Sequence, residues 1–135
     1  SVETPAVYVL DNAPNCRADR INAHSVEFFR VLRDAHPDVP VVIVEHPLYP
    51  TMRLNIGERE DIIARNNAQK AFYETLRKSG EKRVYYVSAE KLLDEMKEGT
   101  VDGDHFTDLG VTYYVKAVLP TIKKALKASP NKVGK

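Results

Sequence analysis

The sequence predicts an α/β protein, a three-layer α/β/α sandwich built around a parallel sheet. Three apolar, β-branched runs recur along the chain: AVYVLDN at 6–12, VVIVEH at 41–46 and RVYYVSA at 83–89. They begin 35 and 42 positions apart, which leaves room for a crossover helix in each interval. The first two are nearly continuous in apolar residues, the pattern of strands buried on both faces of a parallel sheet.

The intervals supply the helices. The first is predicted from about Ala18 to Ala35, with Ile21, Ser25, Phe28, Phe29 and Leu32 on one stripe; the two prolines of HPDVP at 36–40 end it. The second runs from about Glu58 to Lys78 on a looser stripe of Ile62, Ile63, Phe72, Tyr73 and Leu76, with Ser79 and Gly80 as its stop. Asn66 and Asn67 interrupt that stripe, either to bond a loop end or because they lie at its polar boundary. A short helix is expected over 89–97, closed by Gly99. The last helix starts near Thr107 or Asp108 and continues to about Lys127, with Gly110, Tyr114, Ala117, Val118, Ile122 and Ala125 sharing a face. Gly110 is expected to permit close approach to the sheet, and Pro120 to kink the helix by removing a ladder donor. The order β-α-β-α-β-α places helices on both faces of the sheet.

At 135 residues the chain makes one domain, and 43% hydrophobic with 29% charged residues is an ordinary balance for a globular one. Twenty Lys and Arg against nineteen Asp and Glu leave +1, so no bulk footprint for nucleic acid or an anionic membrane is visible. No apolar run approaches the roughly 18 residues of a membrane span. Lys123, Lys124, Lys127, Lys132 and Lys135 read as a solvated helix face and frayed end, and 129–135 as a flexible tail. The opening SVETPAVYVLD lacks the order of a secretory leader, which fits a mature or trimmed product. Cys16 cannot pair within the chain; it is a small buried apolar residue or, with a lowered pKa, an alternative nucleophile.

Function in open parallel sheets collects beyond the carboxyl ends of the strands. Four polar clusters fall there: Asp11–Asn12–Pro14–Asn15, Glu45–His46, Ser88–Glu90 and, before the last helix, Asp102–His105. A histidine acting as general base needs one ring nitrogen toward the substrate and a carboxylate or carbonyl on the other. In TVDGDHFTDLG at 100–110, Gly103 lets Asp102 fold back onto His105. The spacing alone fits an orienting pair and fits solvated loop or helix-cap residues. Glu45 and His46 are likewise metal or substrate contacts, or a loop held by local hydrogen bonds. Arg53 and Arg65 read as substrate contacts or as solvated surface, and His24 and His36 as exposed.

TVDGDHFTDLG, followed by an amphipathic helix containing Pro120, resembles the last block of the SGNH/GDSL hydrolases, where a D-x-x-H pair precedes the final helix. YVLDNAPN at 8–15 and LRDAHPDVPVVIVEHPLY at 32–49 are similar to the middle of an esterase-like subgroup, so the resemblance spans about 5–128. It implies a flavodoxin-like sandwich and a metal-free, cofactor-free serine acylhydrolase, with a carbohydrate O-acetyl esterase as one form of it, acting on a small-molecule or carbohydrate ester. It implies Asp102 as orienter, His105 as base and Asn15 as oxyanion donor, with Asn12 as fallback. Export is implied by the same resemblance.

The chain departs from that pattern in one respect. The family's nucleophile lies in a G-D-S block upstream of the asparagine, and no such block is present. The serines are Ser1, Ser25, Ser79, Ser88 and Ser129, and only Ser88 stands at a strand's carboxyl end, after the asparagine block. The family's oxyanion glycine has no match before Gly57. The expectation is a C-terminal part of a longer hydrolase, inactive alone, whose N-terminal strands and nucleophile lie elsewhere. Its first strand would then present an unpaired edge to an N-terminal segment of the same protein or to a second copy. Two alternatives stay open: a metal-dependent phosphoesterase using His46, Asp102, Asp104 and His105, though at no recognised ligand spacing, and a non-catalytic flavodoxin-like binding module. A glycine-rich phosphate loop is missing for the latter.

Overall fold

The computed structural model describes residues 4–92 and 98–131. The elements follow in the order β1 (Tyr8–Leu10), α1 (Ala18–Ala35), β2 (Val41–Val44), α2 (Ile56–Lys78), β3 (Val84–Val87) and α3 (Asp108–Lys127). Short 3-10 turns stand at Ala13–Asn15, Pro50–Arg53 and Ala89–Lys91. The strands form one parallel sheet in the order β1-β2-β3, with Tyr8 opposite Val41 and Val41 opposite Val84.

The alternation of β2 makes the layers. Val41 and Ile43 join Phe29 of α1 and Phe72 and Leu76 of α2 on one face. Val42 and Val44 join Val118 and Ala125 of α3 on the other. All four β2 side chains are at most 1% exposed, and burial of each contributes about 2 kcal/mol. A third cluster of Tyr49, Met52 and Ile62, with Leu48 and Phe106 against it, closes the sheet at its carboxyl end.

β1 differs from the strand its sequence suggests. Val9 is 40% exposed, because β1 pairs with β2 alone and its outer side is unpaired among the described residues. Phe28, placed on the buried stripe of α1 by periodicity, is exposed beside the same edge. Phe28 and Val9 line a cavity of about 560 Å³ there, with Leu10 and Phe72. Ile63 is also exposed, and the inner stripe of α2 passes instead through Asn66 and Gln69.

The helix ends follow local chemistry. Asn55 accepts from the Glu58 N–H at the start of α2, and Thr107 from the Gly110 N–H at the start of α3. Gly80 takes φ +91 just after α2, the left-handed position that favours glycine. α3 continues through Pro120. Gly110 approaches a loop rather than the sheet: a Cβ there would lie 2.0 Å from the carbonyl oxygen of Gly99. His36 is half-buried, because its Nδ1 meets the Tyr8 hydroxyl at 2.6 Å. Of the helix expected over 89–97, only its first turn is described, and 93–97 lie outside the described residues. Ser129 is buried and Asn131 donates to the carbonyl of Pro5; 132–135 lie outside the described residues.

Candidate active site

Residues 99–107 form a loop closed by its own bonds. The Thr107 N–H donates to the Gly99 carbonyl at 3.0 Å, the Val101 N–H donates to the His105 carbonyl at 2.7 Å, and Thr100 bridges Phe106. At its tip the Asp102 carboxylate turns back on the chain. Its Oδ1 accepts from the N–H groups of Asp104 and His105 at 3.0 and 2.8 Å, and its Oδ2 stands 2.8 Å from Nδ1 of His105. Gly103 makes the turn possible at φ +97, packed so closely on Thr51 that a Cβ would meet Thr51 Cγ2 at 2.5 Å.

The tautomer follows from the partner. A carboxylate only accepts, so Nδ1 of His105 carries a proton, and in the neutral ring Nε2 keeps its lone pair. Nε2 is free among the described residues, on a side chain that is 78% exposed. The hydrogen bonds to His105 and Asp104 hold the Asp102 carboxyl well below the usual carboxylate range. The Asp102 hydrogen bond and charge raise the His105 imidazole above 6.5. The pair has the arrangement of a general base and its orienter.

The asparagine turn at Ala13–Asn15 is held from outside. Arg65 of α2 donates through Nη1 to the carbonyls of Ala13 and Pro14 at 3.2 and 2.6 Å, while its Nη2 pairs with Asp61 at 2.5 Å. Gln69, fully buried, donates to Asn12 Oδ1 at 3.2 Å and to the Val44 carbonyl at 3.3 Å. Asn12 is therefore engaged within the fold. Asn15 is exposed, and its side chain has no hydrogen-bond partner among the described residues.

An aromatic row joins these parts. His46 packs edge-on to Tyr49, Tyr49 to Phe106, and Phe106 against Tyr114, at centroid separations of 5.3, 6.4 and 5.5 Å. Tyr114 donates its hydroxyl to Asp11 Oδ2 at 2.5 Å. Burial, then the neighbouring carboxylates Asp104 and Asp11 respectively, pushes the phenols of Tyr49 and Tyr114 upward, so both stay protonated.

Glu45 and His46 resolve as scaffold. The buried Glu45 carboxylate accepts from the Tyr86 hydroxyl and from the Ala89 N–H at 2.5 Å. Asn66 brackets the His46 backbone, accepting from its N–H at 2.7 Å and donating to its carbonyl at 2.9 Å. The His46 ring gives Nδ1–H to the Pro47 carbonyl at 2.7 Å, and burial lowers its pKa. Among the described residues no three His, Cys, Asp or Glu side chains converge as a ligand set, so His46, Asp102, Asp104 and His105 do not assemble the site a metal-dependent phosphoesterase would need. Ser88 is half-buried and precedes the 3-10 turn at Ala89–Lys91; Cys16 is half-buried and unpaired; Arg53 is exposed.

Sequence reasoning missed Gln69, Tyr49, Phe106 and the clamp made by Arg65. Gln69 carried a signal, since it stands seven residues after Ile62 and seven before Leu76 on the buried stripe. Beside the base loop, Thr51, Leu54, Asn55 and Glu58 face the Asp102–Asp104 tip across a cavity of about 360 Å³.

The model of the family described as GDSL-like Lipase/Acylhydrolase matches residues 1–123. The chain belongs to that family. This family member is 34% identical, at a TM-score of 0.84, to the crystal structure of a protein from Bacteroides ovatus ATCC 8483 described as a GDSL-like lipase, over 90% of its own length and 36% of the other chain. It shares its fold with the salicylyl-acyltransferase SsfX3 from a tetracycline biosynthetic pathway, at 18% identity and a TM-score of 0.65, covering 79% of this chain and 32% of that one. The family member thus spans about a third of the length of both solved chains. No curated protein matches it.

Proposed function

We propose that these residues supply the acid–base half of a serine-dependent carboxylic ester hydrolase. His105 is the base, Asp102 its orienter, and Asn15 the oxyanion donor. The observation that carries the reading is the 2.8 Å contact between Asp102 Oδ2 and His105 Nδ1, which leaves an unprotonated Nε2 open to solvent. In this reading a serine hydroxyl, carried on polypeptide outside these residues, attacks the ester carbonyl and passes its proton to Nε2. The imidazolium returns that proton to the departing alcohol, and an acyl-enzyme remains. Water then attacks the acyl group with the same base. The negative oxygen of each tetrahedral intermediate is met by the Asn15 amide, a donor whose loss typically costs about 10²–10³ in rate. The substrates are small-molecule esters, O-acetylated carbohydrates among them. The outer side of β1, unpaired among the described residues, and the apolar cavity beside it support an N-terminal segment of the same protein, or a second copy, as the piece that completes the sheet.

The test is hydrolysis of p-nitrophenyl acetate by the intact protein and by the 135-residue chain. The intact protein should be active and lose that activity on His105→Ala, while the shorter chain is silent. A short chain that hydrolyses the ester at a rate abolished by His105→Ala overturns the placement of the nucleophile.

A further inference from the structure

Tyr114 touches both halves of the proposed site, and no other described residue is shown to do so. Its ring lies 5.5 Å from that of Phe106, the residue immediately after His105. Its hydroxyl reaches, across 103 positions of sequence, to Asp11, two residues before the asparagine turn and four before Asn15. One side chain, two turns into α3, therefore touches the residue next to His105 and the residue two before the turn that carries Asn15.

We propose that Tyr114 is a positioning residue that fixes the separation between the His105 base and the Asn15 donor. The proposal rests on the assignment of those two roles. Packing alone would be served by phenylalanine; the hydroxyl adds a directional bond to the one carboxylate at the carboxyl end of β1. Among the described residues that end of β1 has no strand on its outer side, and the side chains that bond the turn and the two residues before it are Arg65, Gln69 and Tyr114. A base and an oxyanion donor act on the same carbonyl and must be held to a fraction of an ångström, and a misplacement near 1 Å costs about 10²-fold in rate. Burial and Asp11 push the phenol upward, away from the range in which an imidazole titrates, so the strut does not switch with the His105 proton.

The experiment uses the intact enzyme with p-nitrophenyl acetate and three variants, Tyr114→Phe, Asp11→Asn and the double variant, with His105→Ala as control. Tyr114→Phe keeps the ring against Phe106 and removes only the strut. It should lower kcat about tenfold with KM within about twofold, because the substrate's own contacts are untouched. Asp11→Asn should lower kcat by less, since the amide oxygen still accepts. The double variant should be no worse than Tyr114→Phe, because both changes act on one bond. Unchanged kcat in Tyr114→Phe, a change confined to KM, or additive losses in the double variant would each overturn the proposal. If His105→Ala retains activity, the base assignment fails and the proposal goes with it. If His105→Ala is dead while Tyr114→Phe is fully active, the proposal fails and the base assignment stands.

Discussion

The two loops of the candidate site are built differently. The loop of the proposed base, 99–107, is closed mainly by bonds among its own residues, with one from Thr51 to the Gly103 carbonyl, and its Asp102–His105 pair is three positions apart. The asparagine turn, 13–15, closes through only short backbone bonds, Asn15 N–H to the Asn12 carbonyl and Cys16 N–H to that of Ala13, while its carbonyls and Asn12 are held by Arg65 and Gln69 from α2, more than fifty positions away. The contrast explains why the base pair is legible in eleven residues of sequence while the turn's supports are not. It also predicts different kinds of failure: loss of the Asp102–His105 contact should remove chemistry and leave the fold, whereas damage to the supports of the turn should weaken both.

The largest effect belongs to the base loop. Asp102→Asn should cost the intact enzyme about 10³–10⁴ in kcat, through the wrong tautomer at His105, with little change in the urea midpoint because the pair is exposed. Arg65→Ala should act on both counts, lowering stability by about 2 kcal/mol in urea unfolding and kcat by about tenfold, since two turn carbonyls lose a charged donor. Gly103→Ala places a side chain at φ +97 against Thr51, so thermal unfolding should show a loss of about 1–2 kcal/mol. Gln69→Ala should be mildest in rate and cost about 1 kcal/mol or more in stability, leaving the Val44 carbonyl and Asn12 without their donor. A Gln69→Ala enzyme as inactive as Asp102→Asn would erase the distinction between the two loops.

The layers of the fold were legible because parallel strands advertise themselves as apolar runs and their crossovers as amphipathic stripes. β2 met that reading in full. β1 did not, because an apolar run reports the capacity for burial and not whether a neighbour is there to provide it. The base pair was legible for a local reason: an aspartate, a glycine and a histidine within four residues can meet without help from elsewhere. Gly103 was read as flexible, and the structure adds that its bare Cα is what lets the loop lie on Thr51. Tyr114 was assigned to the buried face of α3 correctly, yet nothing in periodicity tells a hydroxyl where Asp11 will be. Asn66 fell on the loop-bonding side of the two readings open for it, because its amide matches both backbone groups of His46.

The Asp102–His105 pair also has a pH signature. The carboxylate of Asp102 is depressed, so its contribution to folding is full above the ordinary carboxylate pKa and fades as pH falls through the lowered value. His105 is raised, so its contribution is full below 6.5 and fades as pH climbs through the raised value. Activity runs the other way at that upper limit, because the base must be neutral: kcat/KM should rise with pH through the His105 pKa. Both shifts should shrink in high salt, since the groups face solvent.

The most direct measurement is an NMR titration of the His105 imidazole in the native protein and in Asp102→Asn. The native ring should titrate above 6.5, with Nδ1 protonated in the neutral form, and the asparagine variant should fall back toward 6.5. A native ring that titrates at or below 6.5, or one that Asp102→Asn leaves unmoved, would contradict the pairing on which the functional reading depends.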